Sequence, residues 1–197
     1  MPPNSLPAPL TIFVDANVLF SRTLRDWTIM LSLEDGAPFN LHTSEDVLAE
    51  VCYRYRRKRP TAPGRLIAAI RSRIVDSLGG LVTDYTPDPS NRPTDLNDLH
   101  VHAAACVCAA DFVLTDDRAF ETWALAPGSD TPYQPIRPDL FFMWMLTCFP
   151  GIVVSVYGQQ LAYWAQREPV PDLPARLRQA GCPRFATQLN RLSATPQ

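Results

Sequence analysis

Residues 10–17 read Leu10-Thr11-Ile12-Phe13-Val14-Asp15-Ala16-Asn17. The run up to Val14 is continuously apolar apart from one threonine, without the alternation of a half-exposed strand. It therefore predicts a short strand buried on both faces, as in a parallel sheet. A second run, Phe112-Val113-Leu114-Thr115, has the same character and is followed by Asp116 and Asp117. A carboxylate at the carboxyl end of such a strand lies in the crevice where open α/β sheets bind ligands.

Working outward, helical spacing (Leu24, Trp27, Met30, Leu31) marks residues 22–33, and Gly36-Ala37-Pro38 ends that helix. Phe39–His42 predicts a second strand. Ser44 is suited to cap a helix that runs through Glu50 to about Arg59, with Glu45 and Asp46 in its positive first turn. Residues 65–78 predict another helix, 81–83 a third strand, and 85–93 a proline-rich loop. A helix follows over 95–110, with Leu99, Ala103, Cys106, Val107 and Ala110 as its buried stripe. The strand at 112–115 and a helix over 118–125 complete a β-α-β-α-α-β-α-β-α order. Such alternation implies an α/β protein, a three-layer α/β/α sandwich with a central parallel sheet over residues 8–149. Beyond Pro127 only helices are expected, over 139–149, 152–167, 172–180 and 183–193. Residues 150–197 read as a C-terminal helical extension.

Two further acids, Glu50 and Asp98, fall on helices predicted to pack beside the two acid-bearing strands. Each alone has a structural explanation: Asp116 or Asp117 as a helix cap, Glu50 as an i,i+4 partner of Arg54 worth only ~0.3–0.5 kcal/mol. Together they would repel one another, and buried clustered acids are costly to ionise without a counter-ion. A hard divalent cation such as Mg²⁺ or Mn²⁺, which prefers oxygen ligands, is the simplest neutraliser. Asn17, Ser44 and Thr115 are expected to support the cluster by hydrogen bonding a carboxylate or an ion's water. His102, four residues after Asp98, is a weaker ligand candidate; with His100 it more readily flanks the apolar stripe and bonds locally. Asp95 is an outer candidate.

Net charge is −2, but residues 52–78 hold eight of the eighteen basic residues and only one of the twenty acids. A basic block on an otherwise acidic chain suggests a polyanion site. Arg54, Arg56, Arg57, Lys58 and Arg59 begin one helical turn after Glu50 and are candidates to hold the phosphates of such a polyanion, with Tyr53 or Tyr55 available to stack on a base. Five cysteines without a C-x-x-C pair argue against a zinc site or a disulfide framework and for reduced thiols in a cytoplasmic protein. The start shows no signal peptide, and the apolar stretch 140–156, broken at Pro150-Gly151, is too short for a membrane anchor. Glycine-rich phosphate loops and the G-x-S-x-G elbow are missing. Asn17 occupies the place where a haloacid-dehalogenase-type phosphatase needs its second aspartate.

Four segments resemble the motifs of PIN-domain nucleases, in family order. Ile12-Phe13-Val14-Asp15-Ala16-Asn17-Val18-Leu19 is similar to the opening strand and Val47-Leu48-Ala49-Glu50-Val51 to the second acidic element. Asn97-Asp98-Leu99-His100-Val101-His102-Ala103-Ala104-Ala105 resembles the third, and Val113-Leu114-Thr115-Asp116-Asp117 the last. The resemblance covers roughly residues 10–147. It implies a Mg²⁺- or Mn²⁺-dependent endoribonuclease of the VapC type, the toxin of a type II toxin–antitoxin pair. Asp15, Glu50, Asp98 and Asp117 would form its catalytic and metal-holding site, with Asp116 competing for the last position. It further implies an RNA substrate, an antitoxin protein and a homodimer. An antitoxin helix could use apolar surface near Phe141, Phe142 and Trp144 or on helix 152–164, although most of these residues are expected to close the core. The alternatives are a non-catalytic RNA- or protein-binding module of this fold, or an RNA- or DNA-processing nuclease outside any toxin system.

Overall fold

A computed structural model describes residues 8–88, 90, 93 and 95–194. In chain order the elements are β1 (Leu10–Val14), α1 (Ala16–Phe20), α2 (Arg22–Leu33), β2 (Phe39–Ser44), α3 (Glu45–Lys58), α4 (Gly64–Val75) and β3 (Gly80–Val82). A 3-10 turn (Leu96–Asp98) leads into α5 (Leu99–Val107), β4 (Phe112–Leu114), α6 (Arg118–Ala124) and β5 (Gln134–Ile136). The chain ends in α7 (Pro138–Cys148), α8 (Pro150–Ala165), α9 (Leu173–Gln179) and α10 (Pro183–Ala194).

The five strands form one parallel sheet in the order β3-β2-β1-β4-β5. Ile12, Phe13 and Val14 are all fully buried. Consecutive strand residues point to opposite faces, so both faces of β1 are covered. The architecture is the expected three-layer α/β/α sandwich. The chain winds outward from β1 to β2 and β3, then returns to the other side of β1 for β4 and β5. Strand order thus reverses between β1 and β4, the position at which such sheets bind ligands.

Three readings of the sequence need correction. The first concerns β5, which was not expected. It is short, lies at the sheet edge and contains Pro135. The Gln134 N–H donates to the Asp111 carbonyl (3.0 Å) and the Thr115 N–H to the Ile136 carbonyl (3.1 Å), so the missing proline N–H falls on the side away from β4. Second, α1 is a separate helix immediately after β1. Third, α5 stops at Val107. Ala109 takes φ +49°, with its N–H donating to the Cys106 carbonyl and that of Ala110 to the Ala105 carbonyl, a Schellman ending on alanine. Gly181 closes α9 in the same way, with the residue usually found there. Val101 to Ala105 are all buried whereas Val107 is exposed, so α5 is covered nearly all round and shows no single apolar stripe.

The tail belongs to the same core. Phe185 of α10 stacks edge-on against Trp27 of α2 (5.1 Å) and lies 5.2 Å from Phe142 of α7. Arg22 of α2 donates to Tyr163 Oη of α8 (2.8 Å) and lies over the Trp164 ring at 4.7 Å. Phe141 and Phe142 are buried and offer no apolar surface to a partner. All five cysteines are free. No single helix among the described residues is long and apolar enough to cross a bilayer.

Candidate active site

Asp15 ends β1 and begins α1, whose first N–H it caps (Ala16 N to Oδ1, 2.5 Å). Its other oxygen is held from across the switch point: Thr115 Oγ1 donates to Oδ2 at 2.7 Å and Asn17 Nδ2 at 2.6 Å. Thr115 also accepts from Asn17 Nδ2 (2.9 Å) and from the Asp117 N–H (3.1 Å), while Asn17 Oδ1 accepts from the Asp116 N–H (3.0 Å). Asn17 and Thr115 therefore support Asp15 as expected, and they tie the end of β1 to the loop that leaves β4. Burial pushes the Asp15 carboxyl upward, against the lowering effect of the Thr115 and Ala16 hydrogen bonds.

Ser44 has another task. Its Oγ accepts from the Val47 N–H (3.3 Å) and caps α3, and no hydrogen bond links it to a carboxylate of the site. The consequence of that cap lies further along α3, where Glu50, Tyr53, Arg54 and Arg57 fall on one face by i,i+3 and i,i+4 spacing. They line a cavity of about 710 Å³ together with Asp95, Asp98, His100 and Asp117. Asp98 sits where the 3-10 turn meets α5. Its carboxyl is pushed from the usual 3.8 to about 7, first by burial, then by the charges of Asp15, Asp117, Asp95 and Glu50. Those acids, from well-separated positions in the chain, share one electrostatic neighbourhood.

Asp117 and Asp116 separate cleanly. Asp117 lines the acidic cavity while its Oδ1 caps α6 by accepting from Ala119 N (2.7 Å) and Phe120 N (3.0 Å). Asp116 turns away and pairs with Arg137 (2.9 Å). Glu50 is paired with Arg54 (2.5 Å), and His100 Nε2 stands 3.9 Å from its second oxygen. A partly exposed i,i+4 pair of this kind is worth ~1 kcal/mol or less. His102 leaves the ligand set: it is buried, with Nδ1 2.8 Å from Tyr133 Oη, and burial lowers its pKa.

The basic block splits. Arg54 and Arg57 face the acidic cavity, whereas Lys58 and Arg59 line a groove between α1, α2, α3 and α4. Arg56 donates to the Ala62 carbonyl (2.7 Å). Tyr55 is packed on Phe20, with its hydroxyl accepting from Arg25 (2.6 Å), and is not available to stack; Tyr53 is 60% exposed. His100 is the site residue that sequence reasoning misplaced, because only the packing of α5 on α3 brings it to Glu50.

Comparison with protein-family models finds no match, and comparison with curated proteins finds no significant one. Among the described residues, no three His, Cys, Asp or Glu side chains stand close enough together to hold one ion directly. The donor chemistry nonetheless suits a hard cation. Mg²⁺ commonly keeps several waters and uses only one or two carboxylates, which a cavity of this width and charge can provide.

The raised Asp98 carboxyl has a stability consequence. Between pH 4 and 7 the folded chain keeps a proton that the unfolded chain has lost, so stability falls as pH rises through that window. In chelator, the thermal midpoint should decline from pH 5 to pH 8 more steeply in the wild type than in Asp98→Asn. Parallel declines would show that Asp98 titrates normally.

Proposed function

We propose that the chain is a Mg²⁺- or Mn²⁺-dependent endoribonuclease of the PIN-domain kind, acting as the toxin of a type II toxin–antitoxin pair. Asp15, Glu50, Asp98 and Asp117 support this reading because they converge at the reversal point of a parallel sheet and act on one another there. One or two of Asp15, Asp98, Asp117 and Glu50 would hold the ion directly and the others through its waters, Glu50 only once Arg54 releases it. When bound there, a divalent ion would supply Lewis-acid chemistry and ease the deprotonation of water. Thr115 and Asn17 fix the Asp15 carboxylate. Asp98, held toward protonation by burial and the neighbouring acids, would be ionised when the site carries a cation. Arg54 and Arg57 bind phosphates of the strand, and Tyr53 offers a ring to a base.

An antitoxin would use the groove between α1, α2, α3 and α4, of about 790 Å³. Its lining includes Ile29, Met30 and Ile70 and the basic Arg22, Arg25, Lys58, Arg59 and Arg73, against the single acid Asp26. An acidic amphipathic helix complements that pattern.

A second reading, a non-catalytic RNA- or protein-binding module, is favoured by the Glu50–Arg54 pair and by the absence of three ready-made ligands among the described residues. Incubation with total RNA, with and without Mg²⁺ or Mn²⁺, followed by mapping of the ends, decides between the two. Metal-dependent fragments with recurrent ends are expected. RNA that is bound but stays intact at every metal concentration favours the module, and cuts confined to precursor RNAs favour a processing nuclease.

A further inference from the structure

The residue after Asp117 belongs to a different cavity. Arg118, at the start of α6, lines a pocket of about 490 Å³ together with Arg137, Arg178, Arg184 and Asp139. Arg137 follows β5 and so lies at the same end of the sheet as Asp15, Arg178 comes from α9, and Arg184 from the start of α10. Two of the four arginines are thus supplied by the tail.

Their charge is only partly answered. Asp116 pairs with Arg137, and Asp139 caps α10 by accepting from the Arg184 N–H (3.3 Å) and the Phe185 N–H (2.9 Å). Arg118, Arg178 and Arg184 make no ion pair among the described residues, and Arg137 Nε is buried without a hydrogen-bond partner. Glu121 also acts on Arg137, so four guanidiniums stand against three carboxylates and leave a net positive charge in a concave site. The planar guanidinium fork matches the oxygens of a phosphate. Asp117 and Arg118 are adjacent in the chain, their Cα atoms ~3.8 Å apart, so one strand can reach both cavities.

We propose that this pocket holds a backbone phosphate of the RNA strand whose reactive bond lies at the acidic centre, which makes the tail part of the substrate-binding surface. The proposal rests on the ribonuclease reading. It is tested with a labelled single-stranded RNA in chelator, where no cleavage occurs, by measuring Kd against salt for the wild type, Arg178→Ala/Arg184→Ala and Arg178→Lys/Arg184→Lys. Both arginines are exposed, so the variants should keep the wild-type thermal midpoint. The alanine pair should bind about tenfold more weakly, with the log–log salt slope shallower by ~0.7 for each phosphate no longer neutralised, and the lysine pair should keep most of both. Wild-type affinity and slope in the alanine pair overturn the proposal.

A parallel titration with inorganic phosphate, read as a thermal shift, separates the two ideas. If the wild type binds no RNA, the ribonuclease reading and the RNA occupant fall together. A phosphate shift that the alanine pair then lacks keeps the pocket as a phosphate site for a free ligand. No shift in either protein overturns the pocket itself.

Discussion

Asp15→Asn should lower metal-dependent RNA cleavage by at least ~100-fold while the chain stays folded, a loss of the size seen when one charge-stabilising group is removed from an active site. The side chain is well suited to such a test. Its carboxylate is buried, anchored on three sides and pushed toward protonation, so loss of the charge relieves a folding cost. Asparagine can keep its oxygen on the side of Thr115 and Asn17, which share Oδ2, and the bond then lost to the Ala16 N–H costs about 1 kcal/mol, the ordinary value of one hydrogen bond. The measurement pairs a cleavage time course at saturating Mn²⁺ with a melting curve in chelator. Cleavage retained within a fewfold, in protein free of contaminating nuclease, would remove Asp15 from the chemistry and with it the whole acidic assignment.

Phe185→Ala should destabilise the entire chain by about 3–5 kcal/mol, a large share of the stability of a protein this size. Phe185 is fully buried between Trp27 and Phe142, so its removal opens a cavity where α2, α7 and α10 meet. Urea unfolding followed by tryptophan fluorescence and by circular dichroism should show a single transition moved to lower denaturant. If only a minor, separate transition moved, residues 150–194 would be an independent appendage rather than part of the core.

The parts of the fold that could be read from sequence were those carried by strong local pattern. Continuous apolar runs gave β1 and β4, and the Ser44 cap with its acidic first turn gave the start of α3. The acids after these strands followed from the same logic, because strand direction alone puts them at one end of the sheet. What escaped depended on packing. A three-residue strand containing Pro135 has no local signature, and only its place at the edge makes it permissible. The buried stripe assigned to α5 failed because that helix is enclosed on nearly all sides. Asp116 and Asp117 are chemically identical neighbours; their division of labour is set by Arg137, distant in sequence, which draws one of them away. In the basic block, composition alone could not show that helical rotation turns Arg54 and Arg57 toward the acids and Lys58 and Arg59 elsewhere.

Pro135 also limits how copies of this chain can associate. A sheet border normally offers an incoming strand a row of N–H donors, a template on which monomers can join edge to edge or stack into fibrils. Beside β5 that row has a gap at its middle residue. Growth of the sheet on this flank is therefore disfavoured, which leaves β3, among the described residues, as the one border of the sheet with an uninterrupted row of donors.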